Sequence, residues 1–154
     1  MKPLIKICGI AEKDNLIQLT KIEKIDFLGF IFYEHSLRNA TIDFVNSISH
    51  VDFKNKRPVC VYVNADKEFV EETSSYFVNP ILQFHGDETN TFCQSFKQDF
   101  WKVIRVKDAE SIKLVTDYPD ASGILFENYE TGIYGGTGNS FDWNLMNNIK
   151  DLDI

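Results

Sequence analysis

The sequence predicts an α/β chain whose parallel strands curl toward a barrel, and three observations carry that prediction. Short apolar runs recur at 4–8, 27–32, 59–64, 81–85, 101–106 and 123–127. Their starts lie about 20 to 30 residues apart, the length of one strand plus a crossover helix. The segments between them carry apolar residues at helical spacing. Polar and reactive side chains also collect where nearly every run ends. Cys8, Asn64, His85 and Glu127 close four of them, Arg105 and Lys107 flank the end of the fifth, and Ser36 and Arg38 lie just past the second. Strict alternation argues for a parallel sheet with helices outside it. An open doubly wound sheet would gather its site at one switch point, whereas a barrel builds its site from the C-terminal ends of many strands. The expected architecture is therefore a (β/α)8 (TIM) barrel, with only about six β/α units present in this chain.

The first run places Ile5 and Ile7 on one face and Lys6 and Cys8 on the other, because residues two apart share a face of a strand. An ammonium beside a thiol favours the thiolate, the form that acts as a base or nucleophile. From the strand alone, a buried structural cysteine is the competing reading. Leu16, Leu19 and Ile22 mark the first helix, and Phe44, Val45 and Ile48 the second, after the run at 27–32. Phe69, Val70 and Phe77 follow the third run. The fourth run alternates, with Ile81, Gln83, His85 and Asp87 on one face, and leads into a helix carrying Phe92, Phe96 and Phe100. Ile112 and Val115 mark the fifth helix. Leu145, Met146, Ile149 and Leu152 mark the last, after the run at 123–127.

At 154 residues the chain reads as a single domain, 1–154, with enough apolar content for a real core. Sixteen basic residues against 23 acidic ones give a net charge of −7, and no basic stripe points to nucleic acid. No apolar run is long enough for a membrane span. The first apolar stretch is too short for a signal peptide and holds Lys6. Three widely spaced cysteines, Cys8, Cys60 and Cys93, suggest neither a disulfide framework nor a metal site, so a reduced cytoplasmic compartment is expected. A closed barrel needs eight units and roughly 200 residues or more. The expectation is a barrel domain lacking strands seven and eight, whose open edge invites self-association.

Five motifs stand in order along the whole chain: Lys6-Ile7-Cys8-Gly9-Ile10; Gly29-Phe30-Ile31-Phe32 leading to Ser36-Leu37-Arg38; Val61-Tyr62-Val63-Asn64; Leu82-Gln83-Phe84-His85-Gly86-Asp87-Glu88; and Gly135-Gly136-Thr137-Gly138 leading to Phe141-Asp142-Trp143. Together they resemble phosphoribosylanthranilate isomerase, a (β/α)8-barrel family of tryptophan biosynthesis. The resemblance implies an Amadori rearrangement of N-(5′-phosphoribosyl)anthranilate, a small phosphosugar, from aminoaldose to aminoketose. That chemistry needs a general acid and a general base facing each other across the sugar, and implies no redox cofactor and no metal.

By the same resemblance Cys8 is the general base; the strand reading agrees and makes Lys6 its electrostatic helper, and Lys6 is also expected among the substrate-binding residues. The family places an aspartate at the end of the sixth strand, where this chain has Glu127. The added methylene moves the carboxyl by more than about 1 Å, and misplacements of that size can cost roughly 100-fold in rate. Arg38 matches the arginine that holds the anthranilate carboxylate, bidentate recognition being what a guanidinium does best. His85 lines the pocket, and Arg105 is expected among the substrate contacts. Gly135 and Gly136 belong to a loop that covers the site; their spacing is not a dinucleotide fingerprint. In the family the phosphate is gripped by loops after strands seven and eight. Two alternatives compete: a non-catalytic barrel remnant working through association, and another phosphosugar barrel enzyme such as indole-glycerol-phosphate synthase.

Overall fold

The computed structural model describes residues 2–132, 134–135 and 138–151. Strands β1 (Lys6–Cys8), β2 (Phe27–Phe32), β3 (Arg57–Tyr62), β4 (Ile81–Phe84), β5 (Phe100–Val106) and β6 (Gly123–Asn128) form one sheet. They alternate with helices α1 (Lys13–Thr20), α2 (Ile42–Ser47), α3 (Lys67–Ser74), α4 (Asn90–Cys93) and α5 (Ala109–Lys113). A 3₁₀ turn, Leu114–Asp117, extends α5, and a 3₁₀ helix, Trp143–Asp151, follows β6. Neighbouring strands are all parallel and stand in sequence order. The sheet curls so that the ends of β1 and β6 line one cavity, although among the described residues β1 and β6 do not pair.

Local chemistry explains where the helices begin. Thr41, Asp66, Thr89 and Asp108 each accept a hydrogen bond from the backbone N–H three residues on, at 2.8–3.2 Å. Each such cap contributes about 1 kcal/mol. Strand alternation then sorts side chains between two cores. Leu28, Phe30 and Phe32 on β2, Tyr62 on β3, and Leu82 and Phe84 on β4 face the helices and pack with Leu16, Val45 and Val70. The opposite face builds the barrel interior from Val59, Val61 and Ile81, against which Cys8, Phe27, Ile31 and Trp101 pack. Phe27 and Trp101 meet edge to face at 4.8 Å. Gly123 makes room for this packing, because a Cβ there would lie 2.7 Å from the Trp101 ring.

The expected six-unit rhythm is present, with differences at its edges. Phe100 opens β5 rather than ending the fourth helix, and β3 starts at Arg57 and stops at Tyr62. Asn64 lies beyond β3 in a left-handed conformation, φ +51°. Ile22 lies past the end of α1 and is 47% exposed, so it does not join the packed stripe. The last apolar stripe winds as a 3₁₀ helix, and Leu152 lies outside the described residues. Among the described residues no helix is long and apolar enough to cross a membrane.

Candidate active site

The site starts with two glycines. Gly29 sits beside Cys8 in the parallel register, and a Cβ there would come within 2.9 Å of both Cys8 Sγ and Lys6 Cε. Only a bare α-carbon on β2 lets the two functional side chains of β1 lie against the interior wall. Gly9 follows at φ +84°, a left-handed turn that favours glycine. Its N–H and that of Ile10 both donate to the Gly29 carbonyl at 3.0 Å. With no side chain at Gly9, Arg38 can lie across it and donate from Nη1 to the Cys8 carbonyl at 3.0 Å. Arg38 arrives from the loop after β2, where its own N–H donates to Ser36 Oγ at 3.2 Å.

Lys6 extends across the interior and donates to Gln83 Oε1 on β4 at 2.5 Å. Burial pushes its ammonium below the ordinary lysine value, opposed by the neighbouring Cys8 and Glu127. His85 continues the line of β4, its N–H donating to the Tyr62 carbonyl at 2.8 Å. Its Nε2 is hydrogen-bonded to Glu127 Oε2 from β6. Gly135 lies over this pair: a Cβ at that position would be 3.1 Å from His85 Cε1 and 3.4 Å from Glu127 Oε1. Lys6, Cys8, Arg38, His85, Glu127 and Gly135 all line one cavity of about 310 Å³. That volume falls in the range of small-molecule sites.

A buried ion pair sets the backbone behind His85. Lys102 and Glu88, both 3% exposed, pair at 3.0 Å. Lys102 Nζ also donates to the carbonyls of Phe84 (3.4 Å) and Gly86 (2.7 Å), one on either side of His85. Glu88 Oε1 accepts from the N–H groups of Asn64 and Gly86 at 2.8 and 3.2 Å, while Tyr118 OH donates to the Glu88 carbonyl at 2.8 Å. Buried charges are tolerated only when satisfied in this way.

Arg105 was expected to contact substrate; its guanidinium pairs with Asp87 at 2.7 Å, covers the ring of Tyr134, a residue of the site cavity, at 4.3 Å, and lines a second, neighbouring cavity. Asp87 lies in the loop just past the end of the adjacent strand, β4. Tyr134 OH donates to the other oxygen of Asp87 at 2.8 Å, and these partners hold the Asp87 carboxyl below the usual range. Gly136 lies outside the described residues. Residue spacing gave no signal for Tyr134 or for the Lys102–Glu88 pair. Gln83 stood on the correct face, but nothing in the sequence names its partner 77 positions away.

Known proteins share this sequence pattern and fold. The family model described as N-(5′-phosphoribosyl)anthranilate (PRA) isomerase matches residues 5–153. The N-(5′-phosphoribosyl)anthranilate isomerase of Nitrosomonas europaea is 37% identical over 147 residues, covering 95% of this chain and 69% of that protein. The one from Caldanaerobacter subterraneus subsp. tengcongensis is 31% identical over 150 residues, covering 95% and 71%. Among solved structures, phosphoribosylanthranilate isomerase from Thermotoga maritima superposes with a TM-score of 0.81 at 27% identity, over 96% of this chain and 72% of that one. A structure of the isomerase in complex with reduced 1-(o-carboxyphenylamino)-1-deoxyribulose 5-phosphate superposes with a TM-score of 0.72 at 26% identity, over 82% and 66%. On a family match across nearly its whole length and relatives above 30% identity, the chain belongs to the N-(5′-phosphoribosyl)anthranilate isomerase family.

Proposed function

We propose that this protein converts N-(5′-phosphoribosyl)anthranilate to 1-(2-carboxyphenylamino)-1-deoxyribulose 5-phosphate in tryptophan biosynthesis, in the cytoplasm and without a cofactor. The observation that carries the reading is that a thiol from the first strand and a carboxyl from the sixth line one cavity, with a guanidinium at its rim. Glu127 acts as general acid and delivers a proton to the furanose ring oxygen. The C1′–O bond breaks and leaves a protonated Schiff base between C1′ and the anthranilate nitrogen. Cys8 then removes the C2′ proton, and the electron pair moves to neutralise the iminium, giving an enolamine. Protonation at C1′ with loss of the C2′ hydroxyl proton yields the aminoketose. Atoms and electrons balance within the substrate, so the protein supplies only proton transfer and positioning.

His85, hydrogen-bonded to Glu127, orients the acid. Arg38 pairs with the anthranilate carboxylate, Lys6 holds positive charge beside Cys8, and Gly135 brings the loop after β6 over the acid. Arg105 acts through Asp87 and Tyr134 on that loop. Self-association is part of the same proposal. It uses β6, whose residues are half-buried along its entire length, and a concentration-independent monomer in sedimentation would remove it.

The test is the loss of substrate fluorescence on adding the protein, with Cys8→Ser beside it. The reading expects turnover in the first and a rate lower by at least about 100-fold in the second, the size of a lost general base. Equal rates in the two would refute it.

A further inference from the structure

Gln83 is a polar side chain, 3% exposed, on the face of β4 that otherwise builds an apolar interior. An amide placed there without a partner costs free energy, so its partner matters. Gln83 Oε1 accepts from Lys6 Nζ, and β4 does not neighbour β1 in the sheet; the bond therefore crosses the inside of the curl. Among the described residues, Lys6 interacts electrostatically with Cys8 on its own strand and with Glu127 on β6. Val61 and Val103, both apolar, line the same cavity, and Gly29 on β2 contributes no side chain there. His85 is hydrogen-bonded to Glu127 in turn.

We propose that Gln83 is a positioning residue that pins the Lys6 ammonium across the interior, so that one cation acts on both Cys8 and Glu127. A lysine has a flexible four-carbon stem and three rotatable donors. Without an acceptor on the far strand, its head has no fixed place between the thiol and the carboxyl. The catalytic consequence rests on the isomerase reading above; the consequence for Cys8 reactivity does not.

The experiment compares wild type, Gln83→Met, Lys6→Met and the double variant, Gln83→Met being nearly isosteric. One readout is the rate of Cys8 alkylation by iodoacetamide at neutral pH, followed by peptide mass, with buried Cys60 and Cys93 as internal controls. The other is kcat and KM for N-(5′-phosphoribosyl)anthranilate. The expected result is Cys8 alkylation slowed about tenfold in Gln83→Met and in Lys6→Met, with the double variant no slower than Lys6→Met, because the two residues act as one unit. The same Gln83→Met variant should lose about tenfold in kcat with KM within roughly twofold.

Unchanged alkylation in Gln83→Met, or a double variant slowed by the product of the single effects, overturns the proposal. A side chain that merely filled space would give that result. If Gln83→Met does not fold, Lys6→Met decides, and unchanged alkylation there overturns it equally. An inactive wild type that still shows the alkylation pattern would support the pin and refute the isomerase reading.

Discussion

Replacing Lys102 by methionine isolates the contribution of the buried pair behind the site. The substitution keeps most of the side-chain length but removes the cation, leaving Glu88 as an uncompensated charge at 3% exposure. It also strips the donors from the carbonyls of Phe84 and Gly86. Removing one partner of a buried ion pair costs about 3–5 kcal/mol. Against a total stability of about 5–15 kcal/mol this is a large fraction. For a domain near 150 residues each kcal/mol shifts Tm by about 2–4 °C, so the fall should be about 6–20 °C. Thermal unfolding followed by circular dichroism measures it. Adding Glu88→Gln to Lys102→Met keeps an acceptor for the N–H groups of Asn64 and Gly86 without the charge, and should restore at least half of the loss. A Tm within about 2 °C of wild type for Lys102→Met would refute the idea that the pair holds the His85 backbone in place.

Three further outcomes follow from the same geometry. Gly29→Ala would drive a Cβ to 2.9 Å from Cys8 Sγ and Lys6 Cε; a displacement near 1 Å at the base predicts a kcat loss of roughly 100-fold, and full activity would contradict the assigned wall. Gly9→Ala forces a left-handed alanine at a cost of about 1–2 kcal/mol. It also displaces Arg38, so its kinetic signature should be a raised KM, checked by steady-state assay. The third concerns Asp87, whose carboxyl is lowered chiefly by Tyr134 and then by Arg105. Because its folded value is depressed, the bonds to Tyr134 and Arg105 contribute fully above the unfolded-chain value of about 3.9 and are lost as pH falls through the folded one. Tyr134→Phe removes the hydroxyl bond at every pH and should raise KM roughly 3- to 10-fold at neutral pH; an unchanged KM would show that this contact does not hold the loop.

Much of the architecture is legible in the chain because strand and helix periods differ. The runs at 27–32 and 81–85 could be placed within a residue or two, since their apolar content ends abruptly at polar residues. Cys8 and Lys6 were assigned to one face by alternation alone, and the interior packing has them there. What alternation cannot show is which side chains meet across the curl. Lys6 with Gln83 and His85 with Glu127 are separated by 77 and 42 positions, and their meeting depends on how far the sheet bends. Arg105 was singled out by its place at a strand end, but its pairing with Asp87 on the neighbouring loop could not be read from that place. Lys102 was hidden because a charged residue facing the helices breaks the burial pattern that the reading relied on. Glu127 was singled out by position, while its hydrogen bond to His85 was not foreseen.

The central claim is that Glu127 is the acid opposite Cys8, and the most direct measurement is the rate of N-(5′-phosphoribosyl)anthranilate conversion by Glu127→Gln. Glutamine keeps the shape and a hydrogen bond to His85 but has no carboxyl proton to deliver. The account predicts a fall in kcat of about 10²–10⁴-fold with KM little changed. Full activity in Glu127→Gln would contradict it.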